Sequence, residues 1–254
     1  MRFYEFGNPS NSLILLIHGL GLSWRQMLPL TDLLKSRYRV VVVALNGHIV
    51  DEHGTPEPSL FLSIDNEATE IINYIQLNHS AQVSLIYGIS LGGAIAARIA
   101  EMNLLKINHL IVDAGPIHFR FPKLLVKFIA HYQALNCWCT CNLLRGFYSM
   151  IFKSHYFRTV MEGIWETYPS GGGQSILNAY KSVFAYNLES LPESTTIEFW
   201  YGSNEKWLQR PVVEHLLKVR TDAKISIFEG MGHAQLLIDN PTEIVHRIEK
   251  HYTF

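Results

Sequence analysis

Short, continuous apolar runs alternate along this chain with longer stretches whose apolar residues recur at helical spacing. Leu13-Ile14-Leu15-Leu16-Ile17 contains no polar position, as a strand buried on both faces requires. Val40-Val41-Val42-Val43, within Tyr38 to Leu45, is the most β-prone stretch of the chain. Gln82 to Tyr87, Ile107 to Val112, Thr195 to Tyr201 and Ala223 to Phe228 read as further strands, and Arg2 to Phe6 as a short leading one. Helices are predicted from about Trp24 to Ser36, from Ser59 to Asn78, from Ser90 to Met102 and from Leu236 to His251. In the second of these, Ile64, Ala68, Ile71, Ile72 and Ile75 share one face. Apolar strands alternating with amphipathic helices imply an α/β fold, with a mostly parallel central sheet flanked by helices.

This rhythm stops after Asp113-Ala114-Gly115-Pro116 and resumes at Thr195. The intervening residues predict helices rich in aromatics, among them Phe119, Phe121, Phe128, Tyr132, Trp138, Phe147, Phe152, Trp165, Tyr180 and Phe184. The expected organisation is therefore a core of residues 1-115 and 192-254, with a helical insertion, 116-191, before the last two strands. Most of the aromatics should pack the inserted helices onto the core, and a minority should wall a ligand pocket. Gly171-Gly172-Gly173 follows no strand, so it reads as a link or hinge between helices and not as a phosphate cradle.

Composition narrows the class. A chain of 254 residues with a formal charge of -1 suits one catalytic domain with an insertion and argues against a nucleic-acid partner. The insertion is mildly basic, with Arg120, Lys123, Lys127, Arg145, Lys153, Arg158 and Lys181 against Glu162, Glu166 and Glu189. That bias reads as a solvated face, with attraction of an anionic substrate as the alternative. The three cysteines, Cys137, Cys139 and Cys141, have no second pair to complete a metal site and make a poor disulfide framework, so they read as half-buried helix thiols. The N-terminus lacks a signal-like apolar stretch, and no run approaches the ~20 apolar residues that span a bilayer. A cytoplasmic enzyme without a transmembrane segment is the expectation, and the sequence leaves its oligomeric state open.

The candidate chemistry sits at strand ends. Gly88-Ile89-Ser90-Leu91-Gly92 follows one apolar run and opens a helix of small residues. A serine there needs neighbours without bulk, because the sharp turn that lifts its hydroxyl off the sheet strains the backbone. His18-Gly19-Leu20-Gly21 follows a second strand, where glycines let backbone N–H groups face outward. Gly232-His233 follows the last strand and precedes a helix, so His233 lies on a loop able to reach the serine. His79, His109, His215, His246 and His251 look like surface positions, while His118, His131 and His155 fall in the insertion.

With Trp24 and the Gly202 turn added, these segments resemble the α/β-hydrolase family, of the capped serine esterase and lipase kind, over nearly the whole chain. The resemblance implies Ser90 as nucleophile and His233 as base. Leu91 and Leu20 would supply oxyanion N–H groups, or Gly21 in place of Leu20 if the loop bends later. His18 would brace that loop, His48 would be structural, and Trp24 would be a packing anchor. The family's acid is usually an aspartate in a G-x-x-D turn; here Tyr201-Gly202-Ser203-Asn204-Glu205 puts Glu205 at that position. Asp113, at the end of the preceding strand, is the alternative acid. The family's two leading antiparallel strands are expected to be truncated, since few residues precede Leu13.

The implied function is hydrolysis of a carboxylic ester of a small to medium, largely apolar substrate through an acyl-enzyme, with no metal or organic cofactor. A thioesterase, a carbon–carbon hydrolase or lyase, and a non-catalytic binding protein on the same scaffold remain as alternatives.

Overall fold

Among the described residues, seven strands form the sheet: β1 (Arg2–Phe6), β2 (Leu13–Ile17), β3 (Arg39–Ala44), β4 (Gln82–Ile89), β5 (Lys106–Asp113), β6 (Thr196–Gly202) and β7 (Lys224–Phe228). The computed structural model describes residues 1–119, 121–151 and 153–251. Arg120 and Phe152 of the insertion lie outside the described residues, as does the side chain of His251. The strand order is β1-β3-β2-β4-β5-β6-β7. Of these seven strands β1 runs antiparallel to its neighbour, pairing Arg2 with Ala44 and Phe6 with Val40, and the others pair in parallel.

Alternation in the pleat divides the core in two. Leu13, Leu15, Ile17, Val41 and Val43 pack on one face, against α2 (Ile64–Asn78), α3 (Leu91–Met102) and α7 (Lys206–Val219). Ile14, Leu16, Val40 and Val42 pack on the other, against α1 (Leu28–Leu34) and α9 (Pro241–His251). Every residue of β2 is buried. A one-residue slip of β2 would exchange its two faces, so burial on both sides fixes the register.

Three predicted helices are trimmed or divided. The helix expected from Ser59 begins at Ile64, because Ser63 caps it by accepting the Asn66 N–H at 3.1 Å. The residues before it are instead held by the insertion: the Ser59 N–H donates to the Ser170 carbonyl and the Phe61 N–H to Ser175 Oγ. The first predicted helix opens with a 3-10 turn, Trp24–Met27, before α1. The last divides at Asn240 into α8 (Gln235–Asp239) and α9, since Pro241 cannot donate to continue α8 but suits the start of a new helix.

Between β5 and β6 the chain forms α4 (Lys123–Asn142), α5 (Arg145–Ile151) and α6 (His155–Ala185). Inside α6, Gly172 takes φ 58° and ψ -165°, so the glycine run joins two helical pieces across a kink. Among the described residues, no helix is long and apolar enough to cross a membrane.

Candidate active site

The carboxyl ends of β2, β4, β5, β6 and β7 all belong to parallel strands, so their loops emerge at one edge of the sheet, where open α/β sheets place ligands. Ser90 follows β4 in the strained conformation its motif predicts, φ 54° and ψ -119°. Its N–H donates to the Asp113 carbonyl at 2.8 Å, and its carbonyl accepts from Ala94 at 3.1 Å, which pins the turn from both sides. A Cβ on Gly88 would collide with the Gly92 backbone, and one on Gly92 with the Ile17 backbone, so bulk is excluded on either side of the serine. A Cβ on Gly19 would lie 3.8 Å from Ser90 Oγ, which places the His18-Gly19-Leu20 loop directly against the hydroxyl.

His18 is fully buried behind that loop. Its Nε2 accepts the Leu45 N–H at 3.2 Å, so Nδ1 carries the proton and donates to the Gly19 carbonyl at 2.9 Å. Burial, with His48 nearby, pushes its pKa down to about 3, and the ring stays a neutral brace across the ordinary pH range. Gly21 takes φ +73°, turning the chain just after Leu20. Leu91 is the first residue of α3, where a backbone N–H has no acceptor within its helix. Trp24 is buried; it stacks on Tyr4 at 3.8 Å and donates Nε1–H to the Val50 carbonyl, as an anchor would.

Glu205 ends a 3-10 turn, Ser203–Glu205, that follows β6. Its Oε2 lies 2.9 Å from His233 Nδ1. A carboxylate only accepts, so Nδ1 carries the proton and Nε2 keeps its lone pair. Burial acts to raise the Glu205 pKa, but the His233 hydrogen bond and charge outweigh it and leave the carboxyl below its ordinary value. At His233, burial acts to lower the pKa, and the Glu205 bond and charge, joined by Asp113, carry it above the ordinary imidazole value.

The turn bearing Glu205 and the loop bearing His233 are stitched together. Asn204 donates its backbone N–H to the Met231 carbonyl at 3.1 Å and its side-chain amide to the Gly230 carbonyl at 3.0 Å. Gly230 in turn donates to Ser203 Oγ at 2.9 Å. From the insertion, the Tyr156 hydroxyl donates to the His233 carbonyl at 2.7 Å.

Asp113, the alternative acid, is buried and makes a different bond. Its Oδ2 accepts the Tyr87 hydroxyl at 2.6 Å. Burial raises its pKa to about 7, opposed by the Tyr87 bond and the charge of His233 and assisted by Glu205.

Ser90, Leu91, Leu20 and His233 line one cavity of about 580 Å³. Its walls are largely apolar, with Phe119, Phe121, Ile129, Tyr180, Val183 and Phe184 from the insertion and Trp207 and Leu208 from α7. The aromatics expected to wall a pocket are thus in part found there. The expectation that most of the remainder pack inward is corrected on α4 and α5, where Phe128, Tyr132, Trp138 and Phe147 stand in solvent.

Two residues at the site went unread in the sequence. Gln209, on the first turn of α7, donates Nε2–H to Glu205 Oε2 at 3.0 Å; the i, i+4 spacing from Glu205 was the available signal. Tyr87 had none, because an apolar strand position gives no hint of a hydroxyl partner on the next strand. His79 is also corrected from surface to buried, its Nε2 lying 3.0 Å from Glu5 Oε1. The three cysteines are free and half-buried on α4, and burial pushes Cys137 and Cys141 up to about 11. Among the described residues, no His, Cys, Asp and Glu cluster is arranged to hold a metal ion.

A family model described as the alpha/beta hydrolase family matches residues 14–247. Among solved structures, the chain is similar to an alpha/beta hydrolase family protein from Desulfitobacterium hafniense, with 21% identity, 98% of this chain and 99% of that one covered, and a TM-score of 0.77. A carboxylesterase structure from Nitrososphaera gargenis aligns at 15% identity, over 98% and 92% of the two chains, with a TM-score of 0.71. A thermophilic esterase from Thermogutta terrifontis aligns at 16% identity, over 99% and 94%, also with a TM-score of 0.71. At these identities the likeness is one of fold. No curated protein matches the chain.

Proposed function

The chain belongs to the alpha/beta hydrolase family, and from that premise we propose that it is a serine hydrolase cleaving carboxylic esters of small to medium, largely apolar substrates. The observation that carries this reading is the 2.9 Å contact of Glu205 with His233 Nδ1, in a site whose histidine shares a cavity with the strained Ser90.

In this reading His233 Nε2 takes the proton of Ser90 Oγ as the hydroxyl attacks the ester carbonyl. The Leu20 and Leu91 N–H groups receive the oxyanion, each such donor typically contributing about 3 kcal/mol. His233 then returns the proton to the departing alcohol, leaving an acyl group on Ser90. Water, deprotonated by the same imidazole, releases the acid. Glu205 holds the tautomer and stabilises the imidazolium, and Gln209 holds Glu205. The inserted helices act as a cap whose apolar walls accept the non-reacting part of the substrate.

Esterase-named structures with the same fold agree with this reading without deciding the substrate. A series of 4-nitrophenyl esters of increasing acyl length tests it. Hydrolysis is expected, with an optimum set by the cavity, and Phe184→Ala, which removes part of its wall, should move the optimum to longer acyl groups. A chain that hydrolyses no member of the series would overturn the esterase reading. An optimum unmoved by Phe184→Ala would overturn the assignment of this cavity to substrate.

A further inference from the structure

The outer faces of α4 and α5 hold large apolar side chains in solvent. Leu124 is 80% exposed, Phe128 69%, Leu135 59% and Trp138 44%; Phe147 and Met150 on α5 are 55% and 66% exposed. At about 100° per residue the four on α4 fall in one stripe, while Ala130, Gln133 and Cys137 occupy the opposite, inward side. An exposed apolar stripe of this kind along α4 marks an interaction surface in a folded protein.

Charge identifies what the surface meets. From Ala114 to Met161 the sequence holds six Lys and Arg residues and no Asp or Glu. The remainder of the chain carries 15 cations against 22 carboxylates, so the protein is electrically polar, with its positive segment on the inserted helices. Lys123 and Lys127 run along one edge of the α4 stripe, and Lys153 and Arg158 are exposed beyond α5, while Arg145 stacks over the Trp165 ring of α6 at 5.1 Å. Bulky apolar groups edged by lysines, on helices α4 and α5 that hold no Asp or Glu, match the face of a helix that lies in the headgroup region of an anionic bilayer. Pairing of this face with its own copy would set two positive surfaces against each other, which disfavours a symmetric dimer here.

We propose that the α4–α5 face docks on an anionic lipid surface. Leu124, Phe128 and Trp138 enter the acyl boundary while the lysines meet lipid phosphates. The assignment is independent of the reaction at Ser90, since none of these side chains lines the Ser90 cavity.

Co-sedimentation with two vesicle preparations tests it: phosphatidylcholine mixed with phosphatidylglycerol, and phosphatidylcholine alone. The protein should partition onto the mixed vesicles at least about tenfold more strongly, with binding weakened by salt. Phe128→Asp with Leu135→Asp should abolish binding while far-UV circular dichroism and thermal unfolding stay at wild type, because both positions are exposed. Lys123→Glu with Lys127→Glu should remove the preference for the anionic vesicles. Failure to bind the mixed vesicles overturns the proposal. So does equal binding to both preparations, or a wild-type dimer in sedimentation equilibrium that Phe128→Asp with Leu135→Asp dissolves; the last outcome would give the face to a second copy.

Discussion

Ser90→Ala yields a folded protein whose ester turnover falls by at least about three orders of magnitude. The loss follows from the role proposed for Oγ as the attacking atom, which no neighbouring group replaces. Folding should survive because the change removes one oxygen at the mouth of a cavity, and alanine keeps the backbone hydrogen bonds of Ser90 to Asp113 and Ala94. The φ of 54° is strained for alanine as it is for serine, so thermal unfolding should change little. Steady-state hydrolysis of a 4-nitrophenyl ester, read beside a melting curve, checks both halves. Wild-type turnover in the variant would remove Ser90 from the mechanism.

Glu205→Gln gives the second large effect, a fall of up to about four orders of magnitude in kcat. The amide keeps the shape of the side chain but can present an N–H to His233 Nδ1. The ring then turns to the tautomer with its proton on Nε2, where the lone pair is needed. Asp113→Asn should cost less than about tenfold, since the asparagine carbonyl can still accept the Tyr87 hydroxyl and Glu205 still holds the histidine. The two variants also differ in pH dependence. In the proposed mechanism His233 must be neutral to act as base, so kcat/KM should rise with pH as that group loses its proton. Net of burial, Glu205 lifts this pKa above the ordinary 6.5, and the acid limb of the wild-type profile should therefore lie above that value. Residual activity of Glu205→Gln should show the limb displaced to lower pH. A larger loss in Asp113→Asn than in Glu205→Gln would move the acid to β5.

Why some of this was legible and some was not has physical causes. The strands of the core announce themselves because each is buried on both faces, which forces an unbroken apolar run, as in Leu13 to Ile17. The Ser90 turn is legible because its strain excludes bulk, and only glycines fit at Gly88 and Gly92. Glu205 could be placed by position alone, since the chain order of the strand ends carries it to His233. The braces around these groups stayed hidden. Asn204 and Ser203 bond to a loop some 26 residues away, and nothing in their local pattern names that partner. Tyr87 reads as one more apolar residue until β5 places Asp113 beside it. Helix boundaries failed for a related reason. Residues 59–62 are held by backbone bonds to the inserted helices, and a distant partner overrides local propensity. The aromatics on α4 misled in the opposite sense, because an apolar face at helical spacing looks the same whether it meets a core or lies open.

Ser90, activated through His233 and Glu205, is the nucleophile in the mechanism proposed for this protein. Labelling of the native chain with a fluorophosphonate, followed by peptide mapping, decides this. A single adduct should form on Ser90, slowly in Glu205→Gln and not at all in Ser90→Ala. A folded protein that stays unlabelled, or an adduct on any other residue, would contradict it.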